Sequence, residues 1–246
     1  MTKYDTQYDK IGRRYDEYSR TATLKRAERY SVVRMVGALQ GERVLDLACG
    51  SGFYTRLLKQ RGAGEVMGVD ISSEMIRLAN QQEQAEPLGV TYQEYDVLAL
   101  PNLGPFDLIT GIWLFCYPDA EDQMLRMFQR VYANLASGGR FVAFTANPAF
   151  DINRSNSTKY GFTIKTQRLQ GDRYEFDAEF ATNPPTPVSA YRWKQASYEW
   201  AIREAGFKEF SWCPSEPSPE DLEHYGIDYW QDWFDNCWWV GLACRK

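Results

Sequence analysis

The chain has 246 residues, of which 44% are hydrophobic and 25% charged, with a net charge of −5. That balance supports one substantial core in a single α/β domain, and the lack of any extended basic cluster argues against electrostatic docking on nucleic acid or anionic lipid. No run approaches the ~18 consecutive apolar residues of a membrane span, and the N-terminal stretch carries no apolar targeting segment, so a soluble, cytoplasmic protein is expected.

Residues 4–20 alternate charge and tyrosine at roughly helical spacing, and 23–39 continue as an amphipathic helix with Leu24, Ala27, Tyr30, Val33 and Val36 near one face. Strands are predicted at 43–47, 66–69, 90–94, 106–112 and 140–145. Helical patterns separate them at 54–60, at 72–84 with Ser72 as N-cap, and at 120–135, closed by Gly138 and Gly139. Strands alternating with helices in this way make a doubly wound, mostly parallel sheet. After the fifth strand the pattern breaks. Residues 146–191 hold Asn-Pro and Asn-Pro-Pro-Thr-Pro turns and the alternating run Tyr174-Glu175-Phe176-Asp177-Ala178-Glu179-Phe180, which reads as an inserted β-rich cap. A helix at 194–205 stops at Gly206, and 207–212 and 238–244 are predicted as two last strands around an aromatic loop, the final one antiparallel.

Ligands of an open parallel sheet bind beyond the carboxyl ends of its strands, so the residues that end each strand carry the chemistry. The first strand ends in Asp46-Leu47-Ala48-Cys49-Gly50-Ser51-Gly52, an acid followed by a glycine pair that opens a helix. A dinucleotide site sets glycines and a helix N-terminus against an anionic pyrophosphate, which a carboxylate facing the ligand would repel. Asp46 therefore points to a nucleoside cofactor that carries positive charge, with Gly50 and Gly52 letting the backbone approach it. The second strand ends at Asp70, suited to accept hydrogen bonds from both hydroxyls of a ribose, with Ile71 and Met75 flanking the base. Asp96, after the third strand, is placed to accept from an adenine amino group. Gly111-Ile112-Trp113 closes the fourth strand beneath the reacting centre. S-adenosylmethionine, with its ammonium and sulfonium, fits this sequence of acids, and S-adenosylhomocysteine would be the product.

The motifs VLDLACGSG, GVDIS and EYDV resemble those of class I S-adenosylmethionine-dependent methyltransferases, built on a Rossmann-like sheet. YDKIG near the N-terminus, WLFCYPDA, KYG, DAEF, NPP and YRW extend the likeness over most of the chain, which is similar to the N-methyltransferase of toxoflavin biosynthesis and its relatives. The resemblance assigns Asp46, Ala48, Gly50 and Ser51 to the methionine end of the cofactor, Asp70 to the ribose, and Asp96 with Val97 to the adenine. It also implies an N-terminal tyrosine closing over the methionine carboxylate, for which both Tyr8 and Tyr15 qualify. The chain then divides into a helical lid (1–40), a cofactor-binding core (41–145), a substrate cap (146–193) and a C-terminal helix with the last strands (194–246).

Aromatic residues make up 15% of the chain, a composition suited to a pocket for a flat ligand. Trp113, Phe115 and Tyr117 follow the fourth strand at the ligand edge and are expected to touch a small aromatic or heteroaromatic substrate, joined from the cap by Tyr160 and Trp193. In-line transfer of a methyl group disperses charge, so alignment and desolvation can supply most of the acceleration, about 7–11 kcal/mol at best. A base is optional; Glu179 and Asp151 are the candidates. The one histidine, His224, follows an acidic stretch and is expected at the surface, and five widely spaced cysteines with no C-x-x-C pair argue against a zinc site or a disulfide framework. Nitrogen is the preferred acceptor, with oxygen or carbon of a similar scaffold, or a noncatalytic cofactor-binding protein, as alternatives. An NAD-dependent oxidoreductase lacks support because Tyr54-Thr55 replaces the third glycine. A nucleic-acid amino-methylase is suggested only by Asn183-Pro184-Pro185, which lies after the fifth strand and ends in Thr186 rather than an aromatic ring. Whether the protein is a monomer or a homodimer is left open.

Overall fold

The computed structural model describes residues 7–246, the side chain of Arg13 excepted. The start of the first predicted helix, at Tyr4, lies outside the described residues. Helix α1 (Gln7–Thr21) packs on α4 (Ser73–Ala85), where Gly12 leaves room for the Leu78 side chain. Helix α2 (Thr23–Val36) buries Leu24, Ala27, Ser31, Val32 and Val36, and also Glu28. The buried stripe is therefore rotated by about one residue from the one the apolar spacing suggested.

The sheet is built from β1 (Arg43–Leu47), β2 (Glu65–Asp70), β3 (Thr91–Glu94), β4 (Phe106–Ile112), β5 (Leu135–Ala146), β9 (Glu209–Pro214) and β10 (Trp239–Arg245). Its order is β3-β2-β1-β4-β5-β10-β9, with β10 antiparallel to both neighbours and the first five strands parallel. Helices α3 (Phe53–Gln60), α4, α5 (Glu121–Asn134) and α6 (Gln195–Glu204) complete the doubly wound unit. Ser72 caps α4 as expected, its hydroxyl accepting from the Met75 amide at 3.2 Å. Strand β5 starts five residues earlier than its apolar run, because Leu135 already pairs with Phe106; the glycines at 138 and 139 then form an irregularity inside the strand rather than a helix terminus.

The insertion after β5 is a three-stranded antiparallel sheet of β6 (Phe162–Gln170), β7 (Arg173–Phe180) and β8 (Thr186–Trp193). Its alternation separates two faces: Phe162, Ile164, Phe176, Ala178, Phe180, Val188 and Ala190 are buried, while Lys165, Asp177 and Glu179 sit on the other side. Asn183-Pro184-Pro185 lies in the loop joining β7 to β8. The predicted aromatic loop before the last strand is instead two helices, α7 (Pro219–Tyr225) and α8 (Ile227–Asn236), separated by Gly226. Ser218 caps α7, and Trp230 and Trp233 sink into the core, so the aromatics that looked irregular are one buried helical face. His224 is exposed in the last turn of α7. All five cysteines are free thiols, and no helix among the described residues is long and apolar enough to cross a membrane.

Candidate functional site

Strand order reverses between β1 and β4, and the carboxyl ends of these two strands diverge into a cleft, the expected place for a ligand. Both strand ends carry a non-glycine residue with positive φ, Ala48 at 54° and Trp113 at 70°. Such backbone costs on the order of 1–3 kcal/mol and persists only where surrounding contacts fix it. At Trp113 those contacts are visible: its amide donates to the Phe144 carbonyl at 2.7 Å and its indole N–H to Glu28 Oε2 at 2.9 Å.

Three cavities meet here. The first, about 750 Å³, is lined by Tyr8, Tyr15, Ala48, Gly50, Asp70, Ile71, Met75, Asp96, Val97 and Trp113, ten of the residues predicted for the cofactor, together with Tyr95, Ile112, Leu114, Tyr117 and Met127. A second hollow of about 530 Å³ extends from Asp46 and the 48–51 loop to Glu28, Lys25 and Tyr54. The third, an aromatic chamber of about 440 Å³, is roofed by the buried face of the cap sheet. Tyr15 and Trp113 line all three, and Tyr8 and Tyr117, whose hydroxyls are 2.6 Å apart, line the first and third.

The carboxylates are held in distinct ways. Asp70 accepts from the Gly50 amide at 2.8 Å and the Ser72 amide at 2.9 Å, one bond per oxygen, which leaves lone pairs for further donors. Burial raises its pKa, against those amide bonds. Asp46 is 1% exposed and accepts from the hydroxyls of Thr55 and Thr110, each at 2.7 Å. Burial pushes its carboxyl up to about 6, with the two hydroxyl bonds opposing the shift. Asp96 accepts from the Leu98 amide at 2.8 Å and caps a single helical turn at 97–99.

Gly50 lines the first cavity at positive φ, and a Cβ there would meet open space, whereas one on Gly52, also at positive φ, would fall 2.2 Å from the Tyr92 hydroxyl. Gly111 faces the Phe141 ring and does not line the cleft, and Ser51 lines the second hollow, donating to Asp16 at 2.6 Å. Of the substrate candidates, Trp113 and Tyr117 line the chamber and three do not. Phe115 stacks on Phe128 on the other side of the sheet, Tyr160 packs against Trp230 and Trp233, and Trp193 donates to the Pro118 carbonyl at 2.9 Å within the core. Glu179 lies on the outer face of β7 beside Lys165, and Asp151 organises the turn at Asn153, so neither carboxylate reaches the chamber.

Sequence reading missed a polar hub. Glu28, fully buried, accepts from Lys25 at 2.9 Å, the Tyr54 hydroxyl at 2.8 Å and the Trp113 indole. Burial works against the Lys25 charge, but Glu28 and Tyr15 outweigh it and hold its pKa above the ordinary lysine value. The signal was a carboxylate four residues after Leu24 inside an apolar stripe. Apolar chamber residues from the cap, such as Phe180 and Ala190, carried no signal of their own.

Residues 44–139 match the family described as Methyltransferase domain. A demethylmenaquinone methyltransferase of Thermus thermophilus is 37% identical over 110 residues, 44% of this chain and 48% of that protein. A ubiquinone biosynthesis O-methyltransferase of Coxiella burnetii is 33% identical over 114 residues, 46% of this chain and 47% of that protein, so the chain spans about half the length of these curated relatives. Among solved structures, the CcbJ methyltransferase from Streptomyces caelestis superposes with a TM-score of 0.67 at 18% identity, covering 98% of this chain and 97% of its own, a likeness of fold. The segment that resembles a methyltransferase domain holds β1 to β4, with the acids Asp46 and Asp70 at the ends of the first two strands, Asp96 just after the third and Trp113 just after the fourth.

Proposed function

We propose that the protein transfers a methyl group from S-adenosylmethionine to a ring nitrogen of a small heteroaromatic molecule. The observation that carries the reading is the aromatic chamber, which joins the cleft of the methyltransferase domain through a portal framed by Tyr8, Tyr15, Trp113 and Tyr117. When bound, the cofactor supplies an electrophilic methyl on sulfur, and the acceptor lone pair displaces the thioether in line.

The residues present fit such a cofactor. Asp70 keeps free lone pairs for ribose hydroxyls, Asp96 lies at the far end of the same cleft for the adenine, and Ile71 and Met75 offer flat apolar contacts. Asp46 gives the second hollow negative character suited to a methionine ammonium, and Lys25 and Glu28 line it as a mutually neutralised pair. Tyr8 and Tyr15 both line the cleft, so α1 contributes two rings to its cover rather than one.

The chain accelerates transfer by enclosing and aligning the acceptor, a contribution of about 7–11 kcal/mol at most. No chamber-lining residue among those described is an unpaired carboxylate. A proton on the acceptor nitrogen therefore leaves to water, and the nucleophile is a lone pair already present. A second reading, transfer to oxygen or carbon, is favoured by the names of the relatives from Thermus thermophilus and Coxiella burnetii.

The test is incubation of the full chain with methyl-labelled S-adenosylmethionine and a panel of bicyclic heteroaromatic N–H compounds, with mass spectrometry locating the label. Label on nitrogen is expected; label confined to oxygen or carbon moves the assignment to the second reading. Ala190→Trp, which fills the chamber from the cap, should abolish transfer while leaving calorimetric cofactor affinity within twofold. Loss of cofactor binding in that variant would show that chamber and cleft are not the separate compartments proposed.

A further inference from the structure

We infer that the chamber recognises its methyl acceptor through two hydrogen-bond donors, the Tyr18 phenol and the Trp239 indole N–H, and so takes an uncharged planar ring bearing carbonyl-type acceptors. The inference rests on the proposed methyltransferase reading of the joined cavities. Tyr18 and Trp239 both line the chamber, and the polar atom of each is buried without a hydrogen-bond partner among the described residues. A buried donor left unsatisfied costs about 1–3 kcal/mol, and folded proteins leave few of them.

Trp239 differs from four other tryptophans and shares its lack of a partner among the described residues with Trp212, which does not line the chamber. The indoles of Trp113, Trp193, Trp230 and Trp233 donate to Glu28, Pro118, Asp221 and Ser215 respectively. Tyr18 likewise contrasts with Tyr8 and Tyr117, which bond each other, and with Tyr15, which accepts from Lys25 at 3.4 Å. Burial raises the Tyr18 pKa, so its hydroxyl stays protonated and able to donate.

Placement gives the two donors a common purpose. Tyr18 lies behind Tyr15, with ring centroids 6.4 Å apart, and Trp239 behind Trp113 at 5.1 Å. Each donor thus stands one ring back from the portal, on two walls connected through Phe180 and Phe162. A flat ligand whose reacting edge enters the portal would meet a donor on either side. The remaining walls are Leu24, Phe176, Val188, Ala190 and similar apolar groups, a lining suited to a flat apolar ring. Lys25 is the charged side chain on the lining, and Glu28 already neutralises it at 2.9 Å, so a net charge on the ligand would find no counterion.

The probes are quinazoline-2,4-dione, naphthalene and 1-naphthoate, titrated calorimetrically into the full chain with and without saturating S-adenosylhomocysteine. The dione should bind more tightly than naphthalene, and naphthoate more weakly than the dione. Tyr18→Phe and Trp239→Phe should each weaken the dione about tenfold, change naphthalene less than twofold, and leave S-adenosylhomocysteine affinity unaltered. Equal losses for dione and naphthalene, a dione no tighter than naphthalene, or no binding of either would overturn the inference, and tighter binding of naphthoate would overturn its uncharged part. Should Trp239→Phe fail to fold, Tyr18→Phe alone decides, since it removes one oxygen and no packing. Failure of S-adenosylhomocysteine to bind the unmodified protein would refute the cofactor reading separately, and the probe titrations without it still report on the two donors.

Discussion

Asp46, in the second hollow, has a carboxyl whose protonation is set by its burial. Its carboxyl is pushed up to about 6 by burial, above the ordinary aspartate value of 3.8. The native state therefore binds the proton more tightly than the unfolded chain, and this group's contribution to stability, about 3 kcal/mol, is present below pH 4 and lost as pH rises through 6. A cationic ligand reverses the preference, because it favours the ionised form. Affinity for S-adenosylmethionine should then fall as pH drops from 7.5 to 5, and Asp46→Asn should bind it more weakly and with little dependence on pH over that range, as calorimetry at several pH values would show. The Lys25–Glu28 pair makes a second case. Removing one member of a buried ion pair costs about 3–5 kcal/mol because the other charge is left without compensation. Glu28→Gln and Lys25→Met should each lower the denaturation midpoint sharply, while the double variant Lys25→Met/Glu28→Gln should recover part of the loss. Equal and additive losses would mean that the two charges are not coupled.

At the scale of elements, the helix and strand periods were largely legible and the burial direction less so. The strands β1, β2 and β4 were visible because parallel strands largely buried on both faces read as apolar runs, and the cap hairpins because a one-faced sheet alternates. Helices α7 and α8 were not legible, since Gly226 and short lengths hid a period whose apolar members are bulky tryptophans. The four portal rings were legible, Trp113 and Tyr117 after a recognisable strand end and Tyr8 and Tyr15 through the resemblance, whereas the chamber rings Tyr18, Phe162 and Trp239 reach their places only through tertiary packing. Among the described residues of helix α1 only Gly12 and Tyr18 are buried, with Ile11 and Tyr15 partly buried against the core, and side-chain hydrogen bonds add to this attachment. Gln7 exchanges two bonds of 3.2 Å with Ser189 of β8, Asp9 accepts from Ser72, and Asp16 accepts from Ser51. Elements that bury few side chains open at low free-energy cost. Hydrogen exchange in 7–21 should therefore be faster than in α2 for the free protein and slow on addition of S-adenosylhomocysteine; equal protection before and after would argue against α1 as the cover of the cleft.

For the whole molecule, one feature of topology organises the rest: the reversal of strand order between β1 and β4 opens the cleft, and the insertion after β5 roofs the chamber beside it. The acids that end β1 and β2 and the one that follows β3 could be read in sequence because the fold sends every strand end to one edge. The acceptor's surroundings could not, because they combine α1, α2, the cap and the last strand, segments far apart in the chain. A ligand that binds only the native state stabilises it by about 2.7 kcal/mol at a hundredfold excess over its Kd. For a chain of this size that corresponds to a rise in Tm of roughly 5–10 °C. S-adenosylhomocysteine should produce such a rise in thermal unfolding and NAD should not, and the opposite ranking would reject the cofactor assignment.

Helix α1 touches the 48–51 loop through Asp16 and the cap through Gln7, and two of its tyrosines line both the cleft and the chamber. One segment is therefore a wall common to both compartments. If these hold the spent nucleoside and the methylated ring as proposed, departure of one should be coupled to departure of the other, and each product should slow release of its companion.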